Sequence, residues 1–361
     1  MFSNKNLEKI IPYKLSVLEA WGFNEDPDVL KLDWNEATVR PSPKVTERIL
    51  KVISNGKLNW YPNINNIELI HKIANYNSVK DEQVQYFASS DSLHEYIVRA
   101  FIEPFDRVLS ISPTYDNFRA VAESNGAHIQ FYNLDSSFNL DFEKLNQDLK
   151  LIKPKVVYIV NPNNPTGSLF NVDELCVLIK KNQNILFIID EAYYEFSKIT
   201  ISSHIDEFDN LIISRTFSKA FALASFRIGY LISSKINVEI LNRIRNPKNI
   251  SLFAQEAAIA ALDDLEYTEN YVCSVLEAKI IFTNYLKGLN WMTYYKGSGN
   301  FVFIKLKNIK LKNNFIKFLK ENKIFIRDYG HIENTKNFIR ITIGTKSQMN
   351  RVINHIKKFE Y

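Results

Sequence analysis

The lysine that ends Ser214-Arg215-Thr216-Phe217-Ser218-Lys219 is the residue best placed for covalent chemistry in this chain. It follows Leu211-Ile212-Ile213, an apolar run that reads as a buried strand. Hydroxyls at Thr216 and Ser218 precede it, and Arg227 stands eight positions beyond it. A lysine at a strand's carboxyl edge is placed to form an imine with a carbonyl compound. The hydroxyls and Arg227 suit a phosphate carried by the same compound. Pyridoxal phosphate has both groups.

Other stretches point to the same molecule. Asp190-Glu191-Ala192-Tyr193 ends the apolar run Ile185–Ile189. A carboxylate there is costly to bury without a cation, and a protonated pyridine nitrogen would be one. Asp190 would keep that ring able to accept electrons, with Tyr193 in reach of its phenolic oxygen. A metal-binding Asp-Glu pair is the competing assignment, but no His or carboxylate cluster supports it. Asn161-Pro162-Asn163-Asn164-Pro165-Thr166-Gly167 follows Val156–Val160; its prolines and glycine set a turn that aims amides at a cleft. Ser89-Ser90-Asp91-Ser92-Leu93-His94-Glu95 opens a helix whose free N–H groups would attract phosphate, with Ser92 and Glu95 at capping-box spacing. Tyr115, after Val108–Ser112, could cover a flat ring.

The elements that must hold these residues alternate between apolar strands and amphipathic helices from Val84 to about Ser233, as a parallel α/β sheet requires. Strands are expected at Val84–Phe87, Arg107–Ser112, His128–Tyr132, Val156–Val160, Ile185–Ile189, Leu211–Ser214 and Ile228–Ile232. Ligands of such sheets bind at the carboxyl edge, where these residues cluster. A helical stretch from about Val238 to Leu286, interrupted near Pro247, leads to a smaller α+β part with strands near Asn300–Leu306, Ile324–Arg327 and Phe338–Ile343. The fold class is thus α/β, a mixed, mostly parallel seven-stranded sheet with helices on both faces, plus a smaller α+β domain. The expected division is an N-terminal arm over 1–35, a large cofactor-binding domain over 36–250 and a small domain over 251–361.

With 361 residues, 46% hydrophobic and 24% charged, the chain has the balance of a soluble globular protein. Its net charge of +5 is spread along the chain, which argues for a solvated surface and small anionic substrates rather than nucleic acid. No run of about 18 apolar residues is present, and MFSNKNLEKIIPYKL has no apolar signal core, so no membrane contact and a cytoplasmic location are expected. Cys176 and Cys273, without metal spacing, are expected to be reduced core thiols, and no metal site is foreseen.

NPNNPTG, DEAYYEF and SRTFSKAFALASFRIGY, in this order, resemble the pyridoxal-phosphate aminotransferases of the aspartate-aminotransferase fold, in particular the histidinol-phosphate aminotransferase family. The likeness extends to PYKLSVLEAWG, LDWNEATVRPSP, NWYPN, GSGNFVFIKL, FIRDYG and FIRITIGT. The resemblance implies that Lys219 is the imine lysine and proton shuttle, and that Asp190 pairs with the ring nitrogen. Asn164 and Tyr193 would bind the phenolic oxygen, and Tyr115 would stack on the ring. Ser90, Asp91, Ser92, Thr216, Ser218 and Arg227 would surround the phosphate. Arg340 would grip a substrate carboxylate or phosphate, with Tyr13, Asn35 and Arg327 at the same end. Tyr61 would reach the partner's cofactor phosphate in a homodimer with shared sites. The family usually has Gly and Glu where this chain has Ser89 and Ser92, and a glycine where it has Ser225. It tends to a proline-aromatic pair near Asn246-Pro247-Lys248, where Lys248 would suit a second anionic group on the substrate.

The expected activity is amino-group exchange between glutamate or 2-oxoglutarate and a phosphorylated amine or ketone, histidinol phosphate or a smaller one. A decarboxylase of a phosphorylated amino acid on the same scaffold, an aromatic amino-acid aminotransferase and a cofactor-binding regulator are the alternatives.

Overall fold

The computed structural model describes residues 4–12, 18–23 and 25–360. Tyr13 lies outside the described residues. In chain order the strands are β1 (Leu30–Leu32), β2 (Val84–Phe87), β3 (Arg107–Ser112), β4 (His128–Asn133), β5 (Val156–Val160), β6 (Leu186–Asp190), β7 (Leu211–Thr216), β8 (Gly229–Ser233), β9 (Met292–Tyr295), β10 (Phe301–Leu306), β11 (Ile324–Asp328) and β12 (Phe338–Thr342).

Seven of them form one sheet in the order β2-β8-β7-β6-β5-β3-β4. All neighbours are parallel except at β8, which runs antiparallel to both β2 and β7. The mixed, mostly parallel sheet expected from the sequence is present. Its central strands are buried along their whole length because both faces are covered. Alternate residues feed two cores: Val157, Ile159, Phe187, Ile189 and Ile213 face one side, and Val156, Tyr158, Ile188 and Ile212 the other. The helix Ser90–Phe101 packs Leu93 and Ile97 into the second core, and the alanine-rich helix Leu252–Leu262 packs into the first.

The second sheet has the order β1-β11-β12-β10-β9 and its own core, built on Phe301, Ile304, Phe315, Ile339 and Ile341. Two of its strands differ from the expectation. Strand β1 falls in what was expected to be the N-terminal arm, yet it joins this sheet in parallel with β11, pairing Leu30 with Ile324. Strand β9 was not foreseen. Its half-exposed MTYY has too short a pattern to stand out from a loop. The expected interruption near Pro247 splits the helical stretch into Lys235–Asn242, Leu252–Leu262 and Leu265–Leu286. The cysteines are a correction: Cys176 is half-buried and Cys273 exposed, because Cys273 falls on the outer face of the helix Leu265–Leu286.

The parallel strands put their carboxyl ends on one edge, and the chemistry-bearing residues follow from that direction. Asp190 is the last residue of β6, Thr216 the last of β7, and Asn164 and Tyr115 stand in the turns after β5 and β3. From the other sheet, β1 leads directly into Asp33–Glu36, and β11 and β12 contribute Arg327 and Arg340.

Candidate active site

At one end of the site, β2 turns into the helix Ser90–Phe101 through Ser89. Ser89 has φ 92° and ψ 163°, a backbone conformation normally left to glycine. Its hydroxyl accepts from the Ser92 amide at 3.2 Å. The cap is therefore Ser89, and the expected capping box of Ser92 with Glu95 does not form, because the helix has already begun at Ser90. Gly229 of β8 makes the close approach there: a Cβ on it would lie 2.6 Å from the Ser90 nitrogen. Around this helix start stand Thr216, Ser218 and Arg227. The Thr216 hydroxyl accepts from the Ser218 amide at 3.1 Å. The Asp91 carboxylate accepts from Tyr115 Oη at 2.9 Å and Asn117 Nδ2 at 3.2 Å, and faces Arg227 Nη2 at 3.5 Å.

In the middle lie Asp190 and Lys219. Asp190 is buried, with Tyr158 Oη donating to Oδ2 at 2.8 Å and the Ala192 amide to Oδ1 at 3.0 Å. Burial nevertheless pushes its carboxyl above the usual carboxylate range. Glu191 points away and is bound to the buried Arg215 at 2.7 Å, so the two neighbouring carboxylates do not converge on a metal. Lys219 Nζ donates to the Trp34 carbonyl at 2.9 Å. Burial first, and then the charge of Arg340, brings its ammonium down to about 8. Tyr193 Oη accepts from Asn35 Nδ2 at 3.0 Å, and burial holds its phenol well above the ordinary range.

At the far end, Arg340 and Arg327 face each other as directly paired residues of β12 and β11, both buried. Arg340 Nη1 donates to Asn164 Oδ1 at 2.6 Å and to Tyr329 Oη at 3.0 Å, and Nη2 donates to the Asp33 carbonyl. Arg340 Nε is buried without a hydrogen-bond partner among the described residues.

One cavity of about 520 Å³ joins the three regions. It is lined by Ser90, Asp91, Tyr115, Asn164, Asp190, Tyr193, Thr216, Ser218, Lys219, Arg227, Arg327 and Arg340 among the residues expected from sequence. Ser92 and Asn35 do not line it; Asn35 is bound to Tyr193, which does. Tyr61 and Lys248 do not line it; they are exposed, with Lys248 Nζ 4.7 Å from the Tyr61 ring centre. The cavity fits pyridoxal phosphate in its chemistry. It has a lysine amine, a buried carboxylate and a helix start pressed against Gly229.

A model of the family described as aminotransferase class I and II matches residues 27–356. This chain belongs to that family. It is 45% identical to the dihydroxyacetone phosphate transaminase of Campylobacter jejuni over 99% of this chain and 97% of the relative. It is 32% identical to a histidinol-phosphate aminotransferase of Ruminiclostridium cellulolyticum over 95% and 96%. The fold matches that of histidinol-phosphate aminotransferase from Sinorhizobium meliloti, solved with pyridoxal-5'-phosphate, with a TM-score of 0.88 over 99% and 98% of the two chains at 22% identity.

This aminotransferase-family chain also uses residues that sequence reasoning passed over. Trp21, Asp33, Trp34 and Glu36 line the cavity, and Tyr158, Tyr329 and His94 support its walls. Tyr158 lay hidden in an apolar strand, and His94 between apolar helix positions. The one available signal was a polar atom on an otherwise apolar face.

Proposed function

We propose that this chain is a pyridoxal-phosphate-dependent aminotransferase acting between glutamate or 2-oxoglutarate and a small phosphorylated ketone of the dihydroxyacetone phosphate type. The observation that carries the reading is the Arg327–Arg340 pair across β11 and β12, in the same cavity as Lys219. Like charges directly opposite on neighbouring strands repel. An anionic substrate group between them turns that repulsion into charge-assisted hydrogen bonds, and phosphate and carboxylate present similar oxygen pairs. The 45% identity to a dihydroxyacetone phosphate transaminase, against 32% to a histidinol-phosphate aminotransferase, supports the smaller ketone.

When bound, pyridoxal phosphate supplies an aromatic ring that takes up the electron pair left as a substrate Cα bond breaks. The helix start at Ser90 and Asp91, with Thr216, Ser218 and Arg227, would hold its phosphate, while the Ser92 amide is taken by the Ser89 hydroxyl. Asp190 would meet its ring nitrogen, Asn164 and Tyr193 its phenolic oxygen, and Tyr115 its face. Lys219, lowered to about 8, has a neutral amine population near neutral pH. Its Nζ would accept the substrate Cα proton and give a proton to the ring-side carbon across the nitrogen. Arg340, with Arg327, would orient the substrate anion, and Asn35 positions Tyr193.

The unit is a homodimer with shared sites. Leu50, Ile53, Leu58, Trp60, Tyr61 and Ile67 are exposed together, an apolar surface suited to a second copy. Tyr61 reaches the partner's cavity from that surface, toward its phosphate end, with Lys248 beside it to meet a second anionic group on the substrate. The division into arm, large and small domains at residues 35 and 250 belongs to the same proposal.

Holoenzyme given glutamate and dihydroxyacetone phosphate should release 2-oxoglutarate. A faster reaction with the imidazole-bearing phosphorylated ketone would sink the substrate class. Carbon dioxide release from a phosphorylated amino acid, without amino transfer, would sink the reaction. Borohydride should fix the cofactor to the peptide carrying Lys219, and fixation surviving in Lys219→Ala would displace that residue from its role.

A further inference from the structure

The helix that opens at the phosphate end also carries a histidine at its second turn. His94 is fully buried, and its ring meets Phe118 and Tyr158 edge-on at 5.6 Å and 5.4 Å. Those two rings stack on each other at 4.4 Å, so the imidazole sits in a fixed slot. Its Nε2 lies 3.1 Å from Ser214 Oγ and 3.7 Å from Asp190 Oδ2, while Nδ1 is buried without a hydrogen-bond partner among the described residues. Ser214 and Asp190 are directly paired on β7 and β6, so one ring nitrogen addresses both. A proton on Nδ1 would leave a buried donor unpaired, which costs more than an unpaired lone pair. The ring's proton therefore belongs on Nε2, aimed at Ser214 and Asp190.

We propose that His94 is a positioning residue that keeps Asp190 ionised and turned toward the cavity through its Nε2–H. This rests on the reading of the cavity as a pyridoxal phosphate site. Asp190 is buried, and desolvation works against its charge. His94, the Tyr158 hydroxyl and the Ala192 amide oppose that effect, while the charge of Asp91 adds to it. His94 stands about 6 Å along the helix from Ser90. A single rigid helix thus sets both the phosphate end and the carboxylate at the ring nitrogen. A histidine among apolar helix neighbours would otherwise be a poor choice for a buried position.

Binding is the discriminating measurement. Pyridoxal phosphate and its deaza analogue, in which carbon replaces the ring nitrogen, are titrated into the cofactor-free dimer. Asp190 rewards only the ligand with a ring nitrogen. His94→Gln places an amide N–H near the Nε2 position, His94→Asn stops one bond short, and His94→Phe keeps the ring without the donor. Phe and Asn should weaken pyridoxal phosphate about tenfold, one pKa unit's worth of charge at Asp190, and leave the analogue unchanged. Gln should stay within about threefold of wild type for both ligands. Equal weakening of both ligands, or no weakening with Phe and Asn, would overturn the role of His94. Should Phe fail to fold, the Gln and Asn pair carries the comparison. A wild-type protein that binds both ligands alike fails earlier, at the cofactor reading itself.

Discussion

Buried ionisable residues are the most consequential single positions in this chain, because each must be matched by a partner within a few ångströms. Arg215 serves Glu191, the Asn77 side chain and Thr200, and lies 3.6 Å from the Tyr194 ring centre. Glu195 is left over. Tyr76 Oη approaches its Oε1 at 3.5 Å, and Oε2 is buried without a hydrogen-bond partner among the described residues. Burial pushes its carboxyl up to about 7 despite the charge of Arg215. A raised acid binds its proton more tightly in the fold than in the unfolded chain. Its contribution is complete below about 4.5 and is lost as pH rises toward 7. Glu195→Gln should abolish that loss, matching wild type at pH 4.5 and exceeding its stability at pH 8 by on the order of 3 kcal/mol, measured by denaturant unfolding at both values. At Arg340 the geometry is equally specific, since one guanidinium serves Asn164, Tyr329 and the Asp33 carbonyl. Arg340→Lys keeps the charge and loses the fork, so KM for the phosphorylated ketone should rise at least about tenfold with a smaller change in kcat.

Elements converge most tightly where β8 passes the start of the helix Ser90–Phe101. A Cβ at Gly229 would meet the Ser90 nitrogen at 2.6 Å and the Arg215 carbonyl at 2.8 Å, both backbone atoms that cannot step aside. Gly229→Ala should therefore move the helix start, weaken pyridoxal phosphate binding at least about tenfold and lower stability by about 2 kcal/mol. Ser89→Gly should act the other way. Relief of the strained φ of 92° outweighs the few tenths lost with the hydroxyl cap, for a gain of about 1 kcal/mol by thermal unfolding. The large sheet was legible in the sequence because β5, β6 and β7 are continuous apolar runs ended by polar residues. Lys219, Asp190, Asn164 and Arg340 were legible as motif residues, and all line one cavity. Strand β1 was not legible: three residues carry too little pattern, and their pairing partner lies at the other end of the chain. His94 and Tyr158 were hidden because a polar tip on a buried ring looks like core in a sequence.

As a whole molecule, the chain leaves Tyr61 and Lys248 together on an apolar surface outside their own cavity. If those residues serve the partner's site, defects in two different chains can be combined. Lys219→Ala and Tyr61→Ala homodimers should each be impaired, the first completely. Mixed and allowed to exchange, half the dimers become hybrids, and each hybrid holds one site with both residues intact. Activity should recover to about a quarter of the wild-type level. No recovery, in a mixture shown by mass spectrometry to have exchanged, would confine each site to one chain.

The parallel pairing of β1 with β11 also has a consequence for the order of events during synthesis. Leu30 leaves the ribosome early, and Ile324 follows on the order of 300 residues later, about 15–60 s at ordinary elongation rates. Once Ser233 has been made the seven-stranded sheet has all its strands, but β1 still has no edge to join. The segment Asp33–Glu36, with the carbonyl that Lys219 uses, waits with it. A nascent chain halted before β11 should accordingly bury the large core yet resist no protease across residues 25–40. Release of the last strands would then secure both ends of the chain at once, making the cavity one of the last parts of the molecule to close.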